Sequence, residues 1–230
     1  MSRYYRGMSR DAPEKRSTSK QMRSATVYST LRTQILHGEF GPSEPLKPQQ
    51  LASSMGVSLS VVREALQQLI GEGLADRHAN RGFSVPAFSD LRWQQIAEAR
   101  RTLESSMLRM SIERGDVEWE ARVRGSHHRL YRTPLRAATD DPYISDEWAS
   151  AHHAFHRALL DGCGNPVLLE TFDRLWTASE LARRWAERGP VRDYVTEHSR
   201  LEEATLARDA DAAADLLGQH LTLTAAALSS

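Results

Sequence analysis

LKPQQLASSMGVSLSVVREALQQLI, Leu46 to Ile70, reads as two short helices joined by a turn. Leu51, Ala52 and Met55 fall at helical spacing in a first helix over Gln49 to Met55. Gly56 supplies a residue that leaves the helix with positive φ, and Val57 fills the corner. Ser58 or Ser60 then caps a second helix, which buries Val61 or Val62, Ala65, Leu66 and Leu69. Ser60, Arg63, Glu64 and Gln67 are left on or near its outer side.

A second helix of this kind fits the major groove of B-DNA, with its N-terminal residues at base edges and phosphates. Arg63 is the natural base reader, because an Arg forked onto guanine supplies roughly 1–3 kcal/mol of discrimination; the hydroxyls of Ser58 and Ser60 suit phosphate. The alternative is a helical hairpin inside a larger α domain. The flanks favour DNA binding. Leu74 and Ala75, the run Arg77 to Arg81, then Gly82 to Val85 predict two short strands around a polar turn, a wing ending at Pro86. Upstream, Val27, Leu31, Ile35 and Leu36 mark an amphipathic helix that Gly38 and Gly41-Pro42 terminate.

Helix, Gly-Pro turn, L-x-x-x-x-LA-x-x-x-GVS-x-x-x-VREAL-x-x-L-x-x-x-GL and a Gly-bearing wing resemble the GntR family of bacterial transcription regulators, over Ala25 to about Val85. The resemblance implies a winged helix-turn-helix whose DNA contacts fall on Gln49, Ser58, Leu59, Ser60, Arg63, Arg81 and Gly82. Leu59 stands where the family usually places Arg after Gly-Val-Ser, and Gln49 where some members use Arg. Arg63 is thus the base-reading arginine that carries across.

The 230 residues suit one small and one medium domain. No apolar run approaches the roughly 18–20 residues of a membrane span, and the N-terminus lacks a signal-peptide core, so a cytoplasmic protein without membrane contact is expected. Cys163, the single cysteine, excludes an internal disulfide. Thirty basic residues balance thirty acidic ones, but Arg3, Arg6, Arg10, Lys15, Arg16, Lys20 and Arg23 face only Asp11 and Glu14 at the start. Residues 1–23 are therefore expected to form a flexible basic arm that adds nonspecific DNA affinity, or simply a solvated start. Residues 24–88 form the DNA-binding domain and 89–230 a second domain.

From Asp90 to Ser230 the pattern is helical throughout, broken near Gly115-Asp116, Asp140-Asp141-Pro142, Gly162 to Pro166, Gly189-Pro190 and Arg208 to Asp211. About six helices are expected, near 90–114, 117–137, 144–161, 166–188, 191–207 and 210–228, forming an antiparallel all-α bundle. The fold class is thus mainly α.

His152 and His156 stand one turn apart on the stripe of Trp148, Phe155 and Leu159. His198 lies among Tyr194, Val195, Leu201 and Thr205, and His220 among Ala213, Leu216, Leu217, Leu223 and Thr224. Singly, an inward histidine is an ordinary hydrogen-bonded core residue. Together they would strand several imidazole nitrogens at about 1–3 kcal/mol each, unless a divalent metal takes them. Zinc suits four such nitrogens, and nickel is also accommodated.

The bundle resembles the FCD effector domain of the FadR subfamily, in its shorter, VanR-like branch of six helices. Its metal-binding members use an Asp or Asn, a His four residues later, and two further histidines on the last helices. His156, His198 and His220 match that pattern; His152 replaces the usual acid, removing a negative charge and favouring zinc or nickel over manganese or magnesium. The resemblance also turns Arg100 toward the cavity, where Arg and metal together suit a small carboxylate effector; for Arg100 or Arg101 the alternative is a surface ion pair with Glu104 or Glu98. Trp176 and Trp185 are candidate pocket walls or plain core.

The combined expectation is a homodimeric, metal-containing, effector-responsive regulator, a repressor by preference, reading an inverted-repeat operator in double-stranded DNA. The rivals are a metal sensor in which the ion is the signal, and an enzyme activating water at the histidines, for which Asp161, Glu197 and Glu202 are only loosely placed bases.

Overall fold

Gly56 turns the chain at the corner of the helix-turn-helix. It adopts φ 63° and ψ 32°, and its N–H reaches the carbonyls of Ala52 and Ser53. In this computed structural model, residues 12–79, 82–136, 144–185 and 193–226 are described, without the side chains of 12–20, 184 and 185. Arg81 and the side chain of Trp185 lie outside the described residues, as do positions 1–11 of the expected arm. The chain divides into two units, Met1–Ala87 and Phe88–Ser230.

The first unit begins with helix α1 (Ala12–Leu36), which buries Ser24, Val27, Leu31 and Ile35 at helical spacing. Twelve residues expected in the arm, 12–23, are therefore helical. No Gly or Pro interrupts the run from Glu14 to Leu36, and Pro13 sits in the first turn, where its missing N–H costs nothing. Strand β1 (Pro45–Leu46) precedes helices α2 (Pro48–Met55) and α3 (Leu59–Gly71), followed by β2 (Asp76–His78) and β3 (Gly82–Ser84). The sheet order is β1-β3-β2, antiparallel, with Leu46 opposite Phe83 and Arg77 opposite Phe83 on its other edge. Strand β1 is an addition to the expected wing: two residues carry no alternation, and pairing with β3 together with the burial of Leu46 fixes it in place.

Both Val61 and Val62 are buried, with Ala65, Leu66 and Leu69. Ser58 holds the N-cap position of α3, but its hydroxyl makes no cap bond and lies 3.0 Å from that of Ser60. The far end of α3 is tied to α1: Tyr28 donates to Glu72, and Arg32 Nε donates to the same carboxylate at 2.9 Å.

The second unit is six helices among the described residues: α4 (Asp90–Arg114), α5 (Val117–Arg132), α6 (Asp146–Asp161), α7 (Pro166–Trp185), α8 (Tyr194–Leu206) and α9 (Ala210–Ala226). Capping sets several starts, with Ser89, Asp116, Ser145 and Asp193 each accepting from the backbone N–H three residues on. Helix α5 stops at Arg132, short of the expected 137, because Pro134 drives the residue before it out of the helical region. Helix α4 packs against α6, α7 and α9, and α5 against α6 and α8. The core comprises Met107, Leu108, Trp119, Phe155, Leu159, Phe172, Leu201 and Leu217, among others. Val195 and Leu223, expected beside the inward histidines, are exposed.

Candidate functional site

In the first unit, Gln49, Ser58, Ser60 and Arg63 are exposed on α2 and the start of α3, and Leu59 is half-buried. Gly82 is exposed at the wing with φ 86°. Arg63 thus projects from the helix whose opposite side is the unit's core, which is the arrangement a groove-reading helix requires.

In the second unit, α6 contributes His152 and His156, α8 His198 and α9 His220. All four are buried. One ligand nitrogen from each lies within 4.8 Å of all the others. Ring centroids are 4.7 Å apart for His152 and His156, 4.9 Å for His152 and His198, and 4.8 Å for His198 and His220. Both ring nitrogens of His152 and of His156 are buried with no hydrogen-bond partner among the described residues. Burial, followed by the charges of His156 and His198, holds His152 well below the ordinary imidazole range; burial and then His220 and His198 do the same to His156. Burial thus favours the neutral ring, the form in which imidazole binds a metal.

His220 is oriented from outside the cluster. Its Nδ1–H donates to Oε2 of Glu197 at 2.8 Å, which leaves Nε2 as the lone-pair nitrogen. The sequence alone offers Glu197 only as a loosely placed base; its contact with His220 depends on α8 packing against α9, and spacing within one helix cannot reveal it.

Arg100 is buried on α4. Its Nε donates to Oε1 of Glu104 at 2.5 Å, and Nη2 reaches Oε2 at 3.3 Å. The guanidinium carbon stands 4.8 Å from the centroid of the Trp176 ring, whose own centroid is 5.1 Å from His152 and 5.2 Å from His156. The ion pair with Glu104 exists, but in the interior rather than on the surface. Burial pushes the Glu104 carboxyl up, and Arg100 opposes the shift. Trp176 is both core and wall, in the core cluster and in contact with the histidines.

Residues 95–223 match the FCD domain, and residues 23–85 match the gntR family of bacterial regulatory proteins. The chain belongs to the GntR family. Among GntR relatives, the HTH-type transcriptional repressor GlaR of Escherichia coli K12 is 34% identical over 203 residues, covering 84% of this chain and 90% of that one. The HTH-type transcriptional regulator BphR of Paraburkholderia xenovorans LB400 is 34% identical over 197 residues, covering 85% and 80%. A GntR regulator from Rhodococcus sp. RHA1 has a similar structure, with TM-score 0.68 at 25% identity over 89% of this chain and 96% of that one. The protein is accordingly a DNA-binding transcriptional regulator of GntR type and not an enzyme. No described helix is long and apolar enough to cross a membrane.

Proposed function

We propose that this regulator is a repressor controlled from a metal site in the second unit. His152, His156, His198 and His220 hold one divalent ion, zinc in preference and nickel as the alternative. The ion and Arg100 receive a small carboxylate effector. The observation that carries this reading is the burial of both nitrogens of His152 and His156 without hydrogen-bond partners. An ion takes one nitrogen of each ring, which would otherwise cost about 1–3 kcal/mol. The all-nitrogen donor set suits a borderline ion over manganese or magnesium.

The protein acts as a homodimer on a short inverted repeat, with Gln49, Ser58, Leu59, Ser60, Arg63, Arg81 and Gly82 at the DNA. An effector shifts DNA affinity only by binding the DNA-compatible and incompatible states differently. Titrating small carboxylates into a metal-loaded protein–operator sample, followed by fluorescence anisotropy, is expected to release DNA. An acid that binds the bundle yet leaves operator affinity unchanged overturns the coupling.

A second reading is favoured by the Arg100–Glu104 pair, which already engages the guanidinium, and by four imidazoles sufficing to fill a tetrahedral zinc shell. In it the ion itself is the signal. Chelator-stripped protein restored with single metals would then change operator affinity with no organic ligand present.

A further inference from the structure

Helix α3 turns Val61, Val62, Ala65, Leu66 and Leu69 into the core of the first unit. At about 100° of turn per residue, these five cover an arc of about 140° around the helix axis. Ser60 and Gln67 both lie within about 20° of the direction opposite the centre of that arc, and Arg63 lies about 50° from it. Beyond the first turn, Gln67 is thus the residue that faces most squarely away from the core. Arg63 and Gln67 are both exposed, whereas Glu64 is half-buried. Neither the Arg63 nor the Gln67 side chain makes a hydrogen bond or ion pair among the described residues.

Gln68 is exposed as well, but it stands one turn before Glu72, whose carboxylate accepts from Tyr28 and Arg32 of α1. Its side of α3 is therefore the side that flanks α1. Of the two consecutive glutamines, Gln67 is the one on the free face.

Glutamine carries no charge, so it adds nothing to the general attraction for phosphate. Its carboxamide presents a donor and an acceptor side by side. That pair matches the N7 acceptor and N6 donor which adenine shows in the major groove. Four residues separate Gln67 from Arg63, about 6 Å along the helix, close to two base-pair steps of about 3.4 Å. Leu59, in the first turn, is half-buried and offers no hydrogen bond to a base, which moves sequence reading toward the middle of α3.

We infer that Gln67 is a second base-reading residue, recognising adenine in the major groove, and that each operator half-site carries this adenine about two base pairs from the guanine read by Arg63. The inference rests on α3 being the groove helix and is independent of any ligand in the second unit.

The test is selection from duplexes with a randomised stretch of about 20 base pairs, long enough for two half-sites one helical turn apart. It uses the full-length protein and its Gln67→Ala, Gln67→Glu and Arg63→Ala variants, followed by competition binding on single-base variants of the selected site. The parent should favour adenine at one half-site position by about tenfold or more. Gln67→Ala should reduce that preference to less than about threefold while leaving the guanine position and the affinity for unrelated DNA intact. Gln67→Glu should move the preference to cytosine, whose N4 amino group donates to a carboxylate. Helical circular dichroism of all the variants should match the parent. An adenine preference kept in Gln67→Ala, or an affinity loss equal on all sequences, overturns the role of Gln67 while Arg63→Ala still erases the guanine preference. If neither Arg63→Ala nor the Gln67 variants change the selected sequence, α3 is not the reading helix, and that reading falls together with this inference.

Discussion

Glu197 and His220 meet across α8 and α9, with Oε2 of the carboxylate 2.8 Å from Nδ1 of the imidazole. In the neutral ring the contact selects the Nδ1–H tautomer of His220, one of the four histidines that lie together. Such an outer carboxylate raises ligand basicity and holds the ring in place. Glu197→Gln retains a side chain of the same shape but removes the charge, and it is expected to weaken zinc affinity by roughly 10–100-fold. Competition with a chromophoric chelator measures this directly; unchanged affinity would make the contact incidental to the metal.

Arg63 stands exposed on the outer side of α3, while Val62, Ala65, Leu66 and Leu69 fill its inner side. Arg63→Ala is expected to cost about 1–3 kcal/mol of specific operator affinity while leaving affinity for unrelated DNA nearly unchanged. Electrophoretic mobility shifts at matched salt check it. Equal losses on both DNAs would assign Arg63 to phosphate.

In the DNA-binding unit, burial, followed by the hydrogen bond and charge of Glu72, pushes the Tyr28 phenol up to about 12. Its folded value is above the unfolded value of about 10, so the stability it contributes is complete below pH 10 and is lost as pH rises through 12. Ultraviolet titration of tyrosinate should show one late-ionising tyrosine that vanishes in Tyr28→Phe. A profile unaltered by that substitution would contradict the Tyr28–Glu72 contact.

Much of this architecture is legible in the chain itself, for identifiable reasons. Gly56 with its flanking apolar positions encodes the helix-turn-helix locally, and the four inward histidines sit on helical stripes that spacing alone reveals. What spacing cannot reveal is pairing between elements. Strand β1 is two residues long and exists through its partner β3. Glu197 acquires its role only when α9 brings His220 beside it. Arg100 and Glu104, four residues apart, read equally well as a surface pair; the packing of α4 inside the bundle is what buries them. The expected basic arm misjudged residues 12–23 because their charge suggested solvation, whereas their helix propensity continues α1.

The central claim is that the four histidines hold a divalent ion, and elemental analysis of the protein purified without chelator or added metal tests it most directly. About one zinc or nickel ion per chain is predicted, and its loss in both His198→Ala and His220→Ala with helical circular dichroism intact. A parent protein that is folded and metal-free, with no affinity for either ion when they are supplied, would contradict the account, as would full retention of metal in both variants.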